Sequence, residues 1–427
     1  MSFSERIKEI RTGFEPAFWV ANVSELFERF AYYGVFASLA IYLHESLGFS
    51  VESTTNLAGL FGGLVWFLAI FGGTAADRLG FRRALSLAYL ILTIAYFLLG
   101  SLGASWMASV RSAIPLWWLV LILLCLPALG ISMVKPCVVG TTAHAADEKV
   151  RTMGYTIYYF LVNVGSAIGP WVAGYVHEKV GVQNVFRVSA LAVLAMLIAV
   201  QVFFRDTQRS RQERQGSLAD TMRNFGTVIL NGRFILFLLI FSIFWIAYWQ
   251  EFITLGLYIH AYVSPKADVE RILMTDATTV IALQFLVSYL TRKMGAFRAV
   301  NLGALVGSLG WLVIGLSATT WAAVGAIFVV ALGEVIFSPR YYEYVSRLAP
   351  AGQQGTYMGF AFLPIGIGSL VGGPVGGWLY HHYAEVVHKP NDFWFVNTGI
   401  GLVSALLLWI YDATTKPVAA PAAAEKQ

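Results

Sequence analysis

Apolar stretches of about twenty residues recur along the whole chain, separated by short polar or basic loops. An α-helix of about this length is what crosses the hydrocarbon core of a bilayer. The pattern predicts twelve spans, at 16–43, 55–76, 84–104, 115–141, 152–176, 184–204, 234–262, 272–291, 299–317, 320–345, 355–381 and 393–412. We therefore expect an all-α membrane protein.

Composition supports this interpretation. The chain is 58% hydrophobic and 12% charged, whereas soluble domains contain roughly 25% charged residues. Lys and Arg are concentrated in alternate loops, which predicts that these loops and both termini are cytoplasmic. The excess of 29 basic over 24 acidic residues then reflects topology and does not indicate nucleic-acid binding. A multi-pass protein of a prokaryotic inner (plasma) membrane is expected.

One long polar break divides the chain. Residues 205–233 contain six arginines among Gln, Asp and Ser, which favours a basic cytoplasmic linker. The linker separates a predicted six-helix N-terminal bundle (1–204) from a six-helix C-terminal bundle (234–413). Such halves are typically related by a pseudo-twofold axis along the membrane normal. The Ala- and Pro-rich tail, 414–427, is expected to be disordered.

The first predicted span contains ionisable residues at membrane depth. Glu25, Arg29 and Tyr32 share one helix face because they are four and seven residues apart, and Glu28 is next to that face. Charges inside a bilayer are costly and usually functional. The alternative is a self-neutralising Glu–Arg pair that only locks helices together.

Charges at predicted membrane depth do not balance. The carboxylates are Glu25, Glu28, Glu251, Glu334 and Glu343, and the cations are Arg29, Lys135 and Arg340. An excess of two negative charges in a poorly solvated interior predicts that at least one acid holds a proton during part of a cycle. Arg340 and Glu343 are either an anion-binding pair or, with Arg347, an inner-gate salt bridge.

Several motifs then occur in a characteristic order. Glu25–Gly34 reads E-x-x-E-R-F-x-Y-Y-G, 77–83 contains D-R-x-G, and Lys135–Pro136 lies in G-x-x-x-x-K-P. They are followed by Tyr159–Ser166, with N-x-G-S, by Phe244–Gln250, and by Gly333–Pro339 with G-E-x-x-x-S-P. Together they resemble the proton-coupled oligopeptide transporter family, a branch of the major facilitator superfamily.

The resemblance implies a major facilitator fold of twelve transmembrane helices in two six-helix bundles. It implies a proton-coupled symporter of small peptides or peptide-like solutes that works by alternating access. The implied protein is not an enzyme, uses protons and no other cofactor, contacts membrane lipid and is a monomer. No metal site is expected, and enzyme motifs such as H-E-x-x-H and G-x-S-x-G do not occur.

The resemblance also implies roles for individual residues. The implied proton-coupling residues are Glu25, Glu28, Arg29, Lys135 and Glu334. The implied substrate-binding residues are Tyr32, Tyr33, Phe36, Tyr159, Asn163, Trp245, Trp249, Gln250, Glu251 and Glu334. The implied gating residues are Asp77, Arg78, Arg340, Glu343 and Arg347.

Two positions depart from the family pattern. Phe36 occupies the place of an arginine that binds the peptide carboxylate, and Trp249 replaces its partner acid on the seventh span. Losing both members of a buried ion pair is a matched change, because a lone charge would be costly. Glu334 remains for a substrate amine. Export of a drug-like or amphipathic compound is therefore an alternative, and a non-transporting receptor is another.

Six of the seven histidines fall at predicted outer ends: His44, His177, His260, His381, His382 and His388. Because histidine titrates near neutral pH, we hypothesise that they tune the outer face to external pH. The alternative is that they are interfacial polar residues without a role.

Overall fold

The computed structural model describes residues 13–147, 150–206, 226, 228–349 and 354–415, with the backbone alone at 73–75, 77, 151–152 and 354–356. The predicted linker at 205–233 lies largely outside the described residues. So do residues 416–427 of the predicted tail and the side chain of Asp77.

The described residues contain twelve long helices, and the predicted all-α fold is confirmed. Their bounds are α1 Pro16–Ile41, α2 Val51–Leu79, α3 Phe81–Leu99, α4 Leu116–His144, α5 Arg151–Val180, α6 Gln183–Phe203, α7 Gly232–Tyr248, α8 Val269–Thr291, α9 Ala296–Leu316, α10 Thr320–Leu348, α11 Leu363–Tyr380 and α12 Asp392–Thr414. Short helices at Gln250–Ile253 and Leu255–Tyr258 continue α7, and Gln354–Phe360 precedes α11.

Ten helical segments of the described chain are long and apolar enough to cross a membrane, compared with the twelve spans predicted. The remaining two, α1 and α5, have 26 and 30 residues and are therefore long enough. In α1 the three charges of Glu25, Glu28 and Arg29 lie within five residues. Interior polar groups, and not short length, distinguish this helix from the other spans.

Side chains cap several helices where loops enter the bundle. Ser50, Asp268 and Thr319 accept hydrogen bonds from backbone N–H groups three residues later, at 3.2, 2.9 and 3.1 Å. These bonds satisfy donors that the first helical turn leaves free. Between α2 and α3 the chain turns at Gly80, where φ is +82°. This conformation favours glycine, as expected from the loop motif.

The helices pack as two bundles with matching connections between them. In the first half α1 packs against α4, α5 and α6, and in the second half α7 packs against α11 and α12. The main contacts between halves join α2 to α11 and α5 to α8. Each pair combines the second helix of one half with the fifth helix of the other. This is the relation that a pseudo-twofold axis produces.

Glycines allow α2 and α11 to approach closely. A Cβ atom on Gly373 would lie 2.6 Å from the carbonyl oxygen of Thr55 and 3.1 Å from Cα of Gly59. The Ser369 hydroxyl donates to the Gly59 carbonyl across the same contact at 3.0 Å. The small-residue run at 366–377 is therefore a close-packing surface.

Polar contacts join the two halves at the end where α1 and α5 finish, here called the closed end. The carboxylate of Glu270, 1% exposed, accepts from the Ser38 hydroxyl at 2.9 Å and from His177 Nδ1 at 2.8 Å. His260 Nδ1 donates to the Glu45 carboxylate at 2.5 Å. Of the six histidines, His177 and His260 thus bond across the two halves.

These closed-end groups titrate in a defined direction. The hydrogen bond to Glu270 raises the pKa of His177, and burial offsets this only in part. The stabilisation of the closed end by the His177–Glu270 pair is fully present below the ordinary histidine pKa of about 6.5. It is lost as pH rises through the raised pKa of His177. The hydrogen bond from His260 lowers the pKa of Glu45. The stabilisation of the closed end by the Glu45–His260 pair is fully present above about pH 4.3. It is lost as pH falls through the lowered pKa of Glu45.

Gly373→Ala should destabilise the protein, because the new methyl group would meet backbone atoms that cannot rotate away. Overpacking of this kind costs roughly 1–3 kcal/mol. Thermal unfolding in detergent, followed by tryptophan fluorescence, measures the loss. Gly399→Ala is the matched control, since a Cβ atom there meets nothing within 4 Å. Equal midpoints for the two variants would contradict the proposed close contact.

Raising pH from mildly acidic to alkaline should separate the two halves at the closed end, because His177 loses its proton. Distances between spin labels on the C-terminal end of α1 and the N-terminal end of α8 would record this opening. His177→Gln should flatten the pH profile. The control is His382→Gln, because His382 stacks on Trp378 within its own half. An unchanged profile in His177→Gln would argue against the histidine hypothesis.

Candidate functional site

A cavity of about 120 Å³ lies between the two bundles. Its walls are mostly aromatic and include two carboxyl groups. Of the predicted substrate-binding residues, six line it: Tyr32, Tyr33, Phe36, Trp245, Trp249 and Glu334. Both halves of the chain therefore contribute to one enclosed space, as expected for a central binding site.

The two positions that depart from the family pattern contact each other. The Phe36 and Trp249 rings meet edge to face with centroids 5.4 Å apart, and Phe36 also stacks on Tyr32 at 5.6 Å and on Phe252 at 5.3 Å. Phe36 is 1% exposed. An apolar aromatic contact thus stands where the family pattern has an ion pair, in agreement with a matched change.

Next to the cavity, α1 carries a buried ionic network. Arg29 Nε lies 2.6 Å from Glu28 Oε2 and 3.7 Å from Glu25 Oε1, and the guanidinium stacks over the Tyr32 ring at 5.0 Å. Glu25 and Glu28 are 1% and 0% exposed. One oxygen of each carboxylate is buried without a hydrogen-bond partner among the described residues. The network therefore has unused capacity to bind a proton.

The N-x-G-S motif of α5 holds α1 in place. A Cβ atom on Gly165 would lie 2.4 Å from the backbone oxygen of Leu26, and one on Gly169 would lie 2.4 Å from that of Phe30. The glycines let α5 pack directly against the α1 backbone on both sides of Arg29. The sequence motif is therefore a packing requirement of the ionic network.

Lys135 is held by aromatic rings. Its ammonium lies 4.8 Å from the centre of the Phe362 ring and 5.4 Å from that of Trp66. Among the described residues, no ion pair within 4 Å joins it to a carboxylate. Cation–π contacts hold the ammonium instead, and its coupling to Glu25 is electrostatic at longer range.

On the opposite wall, Glu334 is hydrogen-bonded. The Tyr248 hydroxyl donates to Glu334 Oε2 at 2.5 Å. Both residues line the cavity. The Glu334 carboxylate, oriented by Tyr248, can therefore contact a substrate amine.

Sequence reasoning missed nine residues that line the cavity, among them Trp66, Tyr248 and Asp276. Asp276 could have been found as an acid inside the predicted eighth span, 272–291, but it was absent from the charges assigned to membrane depth. Tyr248 belongs to the F-W-I-A-Y-W-Q motif, yet its contact with α10 depends on tertiary structure.

The structure places Gln250 and Glu251 away from the cavity wall. Gln250 Nε2 donates to the Ile246 and Gly372 carbonyls, both at 2.9 Å, and its side chain fills the contact between α7 and α11. Glu251 is 0% exposed and does not line the cavity. Neither side chain therefore lines the central cavity in this structure, because the helix turns both away from the space that Trp249 faces.

Tyr159 and Asn163 line a neighbouring groove of about 700 Å³ between α5, α8 and α10. Their predicted place in the central cavity is therefore not observed. The groove and the cavity share Ser338 and Tyr342. Tyr159 is 46% exposed. The groove lies away from the closed end and is adjacent to the central cavity.

The predicted gating residues of α10 form a chain within one helix. Arg340 Nη1 donates to Glu343 at 2.7 Å, and Arg347 Nη2 donates to the other Glu343 oxygen at 2.5 Å. Arg340 also donates to the Thr291 carbonyl on α8. These contacts stay within the C-terminal half. Arg78 is exposed at the end of α2.

Comparisons with known proteins support the fold. A solved POT family transporter in complex with 5-aminolevulinic acid superposes with a TM-score of 0.75 at 17% identity, covering 93% of this chain and 96% of that chain. A peptide transporter POT variant in complex with sulfate gives 0.74 at 20% identity, covering 93% and 94%. The predicted major facilitator architecture is confirmed.

Curated relatives fall into two groups. Dipeptide and tripeptide permease B of Photorhabdus asymbiotica is 28% identical over 46% of this chain, and permease A of Salmonella typhi is 31% identical over 44%. The alignments span 38% and 35% of these relatives' lengths. Multidrug resistance protein MdtH of Klebsiella pneumoniae is 23% identical over 88% of this chain and 90% of its own length.

The resemblance to peptide transporters is thus confirmed in both sequence and fold. The Major Facilitator Superfamily profile matches residues 22–363 and 264–427. These matches cover the helices that build both bundles and the cavity between them. The chain belongs to the Major Facilitator Superfamily.

Proposed function

We propose that the chain is a proton-coupled symporter of small peptides or peptide-like organic solutes that works by alternating access. The observation that carries the proposal is the buried Glu25–Glu28–Arg29 network beside a cavity that both bundles share. A static scaffold gains nothing from such charges, whereas a transporter uses them to bind and release protons. The dipeptide and tripeptide permease relatives support the same function.

The proposed cycle uses each half differently. Glu25 and Glu28 exchange the proton beside the permanently charged Arg29, and Lys135 responds through its charge. Glu334 binds the substrate amine at the cavity. Rocking of the two bundles would break the closed-end contacts and expose the cavity to the other side.

A proton moving down about 150 mV supplies roughly 3.5 kcal/mol. At about 1.4 kcal/mol per decade this drives solute accumulation of a few hundredfold.

We further propose a monomer in a prokaryotic inner membrane, with both termini cytoplasmic and with protons as the coupling ion. The protein contacts lipid and a small-molecule substrate and has no enzymatic activity. In this orientation the closed end faces outward, and the groove between α5, α8 and α10 faces the cytoplasm.

A second candidate function is proton-coupled export of a drug-like or amphipathic compound. It is favoured by the nearly full-length similarity to a multidrug resistance protein and by the aromatic contact of Phe36 with Trp249. Flux measured in both directions separates the two functions. A non-transporting receptor would show no flux in either.

Lys135→Ala and Glu334→Gln should each reduce proton-driven uptake at least tenfold, because they remove one charge from the relay and one from the amine site. Liposome flux with an imposed pH gradient and a dipeptide library measures this. The matched controls are Lys389→Ala and Glu385→Gln, since both side chains are exposed. Unaltered flux in Lys135→Ala and Glu334→Gln would disprove the relay.

Amidated dipeptides should be taken up within about twofold of the free acids, because Phe36 and Trp249 leave no carboxylate clamp. The double variant Phe36→Arg/Trp249→Glu should shift preference toward free acids by about tenfold, the value of one charge-assisted bond. Competition uptake measures the ratio, with Trp249→Phe as the aromatic control. A strict preference of the wild type for free carboxylates would refute the assignment.

A further inference from the structure

Three carboxyl groups gather in the C-terminal half, from the α7 continuation, α8 and α10: Glu251, Asp276 and Glu334. Glu251 interacts electrostatically with both other acids, and Asp276 interacts with Glu334. Asp276 and Glu334 line the central cavity. Such a concentration of like charge in a poorly solvated interior requires compensation.

Nearby hydrogen bonds compensate only part of this charge. Tyr248 donates to Glu334. Asp276 Oδ1 and both Glu251 oxygens are buried without a hydrogen-bond partner among the described residues. An unpartnered buried carboxylate is costly until it meets a proton or a cation.

Within the described residues, several other charged groups lie near charges of the opposite sign. In the N-terminal half, Arg29 and Lys135 balance the two glutamates of α1. On α10, Arg340 and Arg347 both pair with Glu343. The cluster of three acids has no cation paired with it within the described residues. One coupling proton would neutralise a single acid and leave the cluster negative.

The cavity offers further contacts that suit an organic cation. The aromatic faces of Tyr33 and Trp245 line the same space as Asp276, and such faces attract cations. Trp245 is 8% exposed, and its indole N–H is buried without an acceptor in the described structure. This donor can bind a carbonyl oxygen of a substrate.

We propose that Asp276 is a second cation-binding carboxylate of the central cavity and that, with Glu334, it selects solutes carrying two cationic groups. The class includes amidated peptides with a basic side chain and compact organic diamines. A zwitterionic dipeptide has no net charge to balance the cluster, and the place of its carboxylate clamp is aromatic. The transport of these solutes rests on the proposed symport function, whereas their binding does not.

The test compares binding of Lys-Ala amide with that of Ala-Ala amide to the purified full chain by calorimetry at pH 7. The wild type should bind Lys-Ala amide at least tenfold more tightly, because it contributes a second charge-assisted contact. Asp276→Asn should reduce this ratio to about twofold or less and leave Ala-Ala amide affinity nearly unchanged. Asp412→Asn is the control, since Asp412 is exposed at the end of α12.

Asp276→Glu keeps the charge and should retain the preference, which separates cation binding from a folding defect. Equal affinities in the wild type, or a ratio that persists in Asp276→Asn, would overturn the proposal. A change only in the number of protons carried per solute would also overturn it and assign Asp276 to proton transfer. Binding with the expected ratio but no pH-driven flux would leave the cation site standing and refute the symport function instead.

Discussion

The burial of Arg29 between Glu25 and Glu28 is the constraint on which much of the N-terminal half depends. Three charges in the interior of a membrane helix are tolerated only when they are close together and shielded from lipid. The glycines of α5 supply this arrangement, because they let its backbone pack directly against α1 beside Arg29. The same face of α1 continues to Tyr32 and Phe36, so the ionic network and the cavity wall are parts of one rigid surface.

The two halves of the molecule differ in the balance of their buried acidic and basic groups. On the N-terminal side Glu25 and Glu28 are balanced by Arg29 and Lys135. On the C-terminal side Glu251, Asp276 and Glu334 have no paired cation among the described residues, and the cavity wall that carries Asp276 and Glu334 is therefore suited to a cationic ligand. The histidine–glutamate contacts at the closed end provide a third, separate set of ionisable groups, whose strength depends on pH at the protein surface.

Much of the site could be predicted from sequence because its residues lie on helices whose periodicity is known. The shared face of Glu25, Arg29 and Tyr32 follows from four- and seven-residue spacing, and the motifs place Glu334 in mid-span. Other predicted site residues lie outside the central cavity for tertiary reasons. The Gln250 amide donates hydrogen bonds to carbonyls of α7 and α11, and Tyr159 faces a groove beside the cavity. Lys135 is held by Trp66 and by Phe362, which is 227 positions away in the chain, so its contacts could not be inferred from local pattern.

Sequence by itself determined the twelve helices, their division into two halves and the chemistry of the ionic network, because these depend on hydrophobic length and on spacing within one helix. Only the tertiary structure decided which residues share the cavity. Phe36 meets Trp249, Tyr248 meets Glu334, and Asp276 joins them, through packing between helices distant in the chain. The physical reason is that a helix presents several faces of similar polarity, and the neighbouring helices select which face encloses the site.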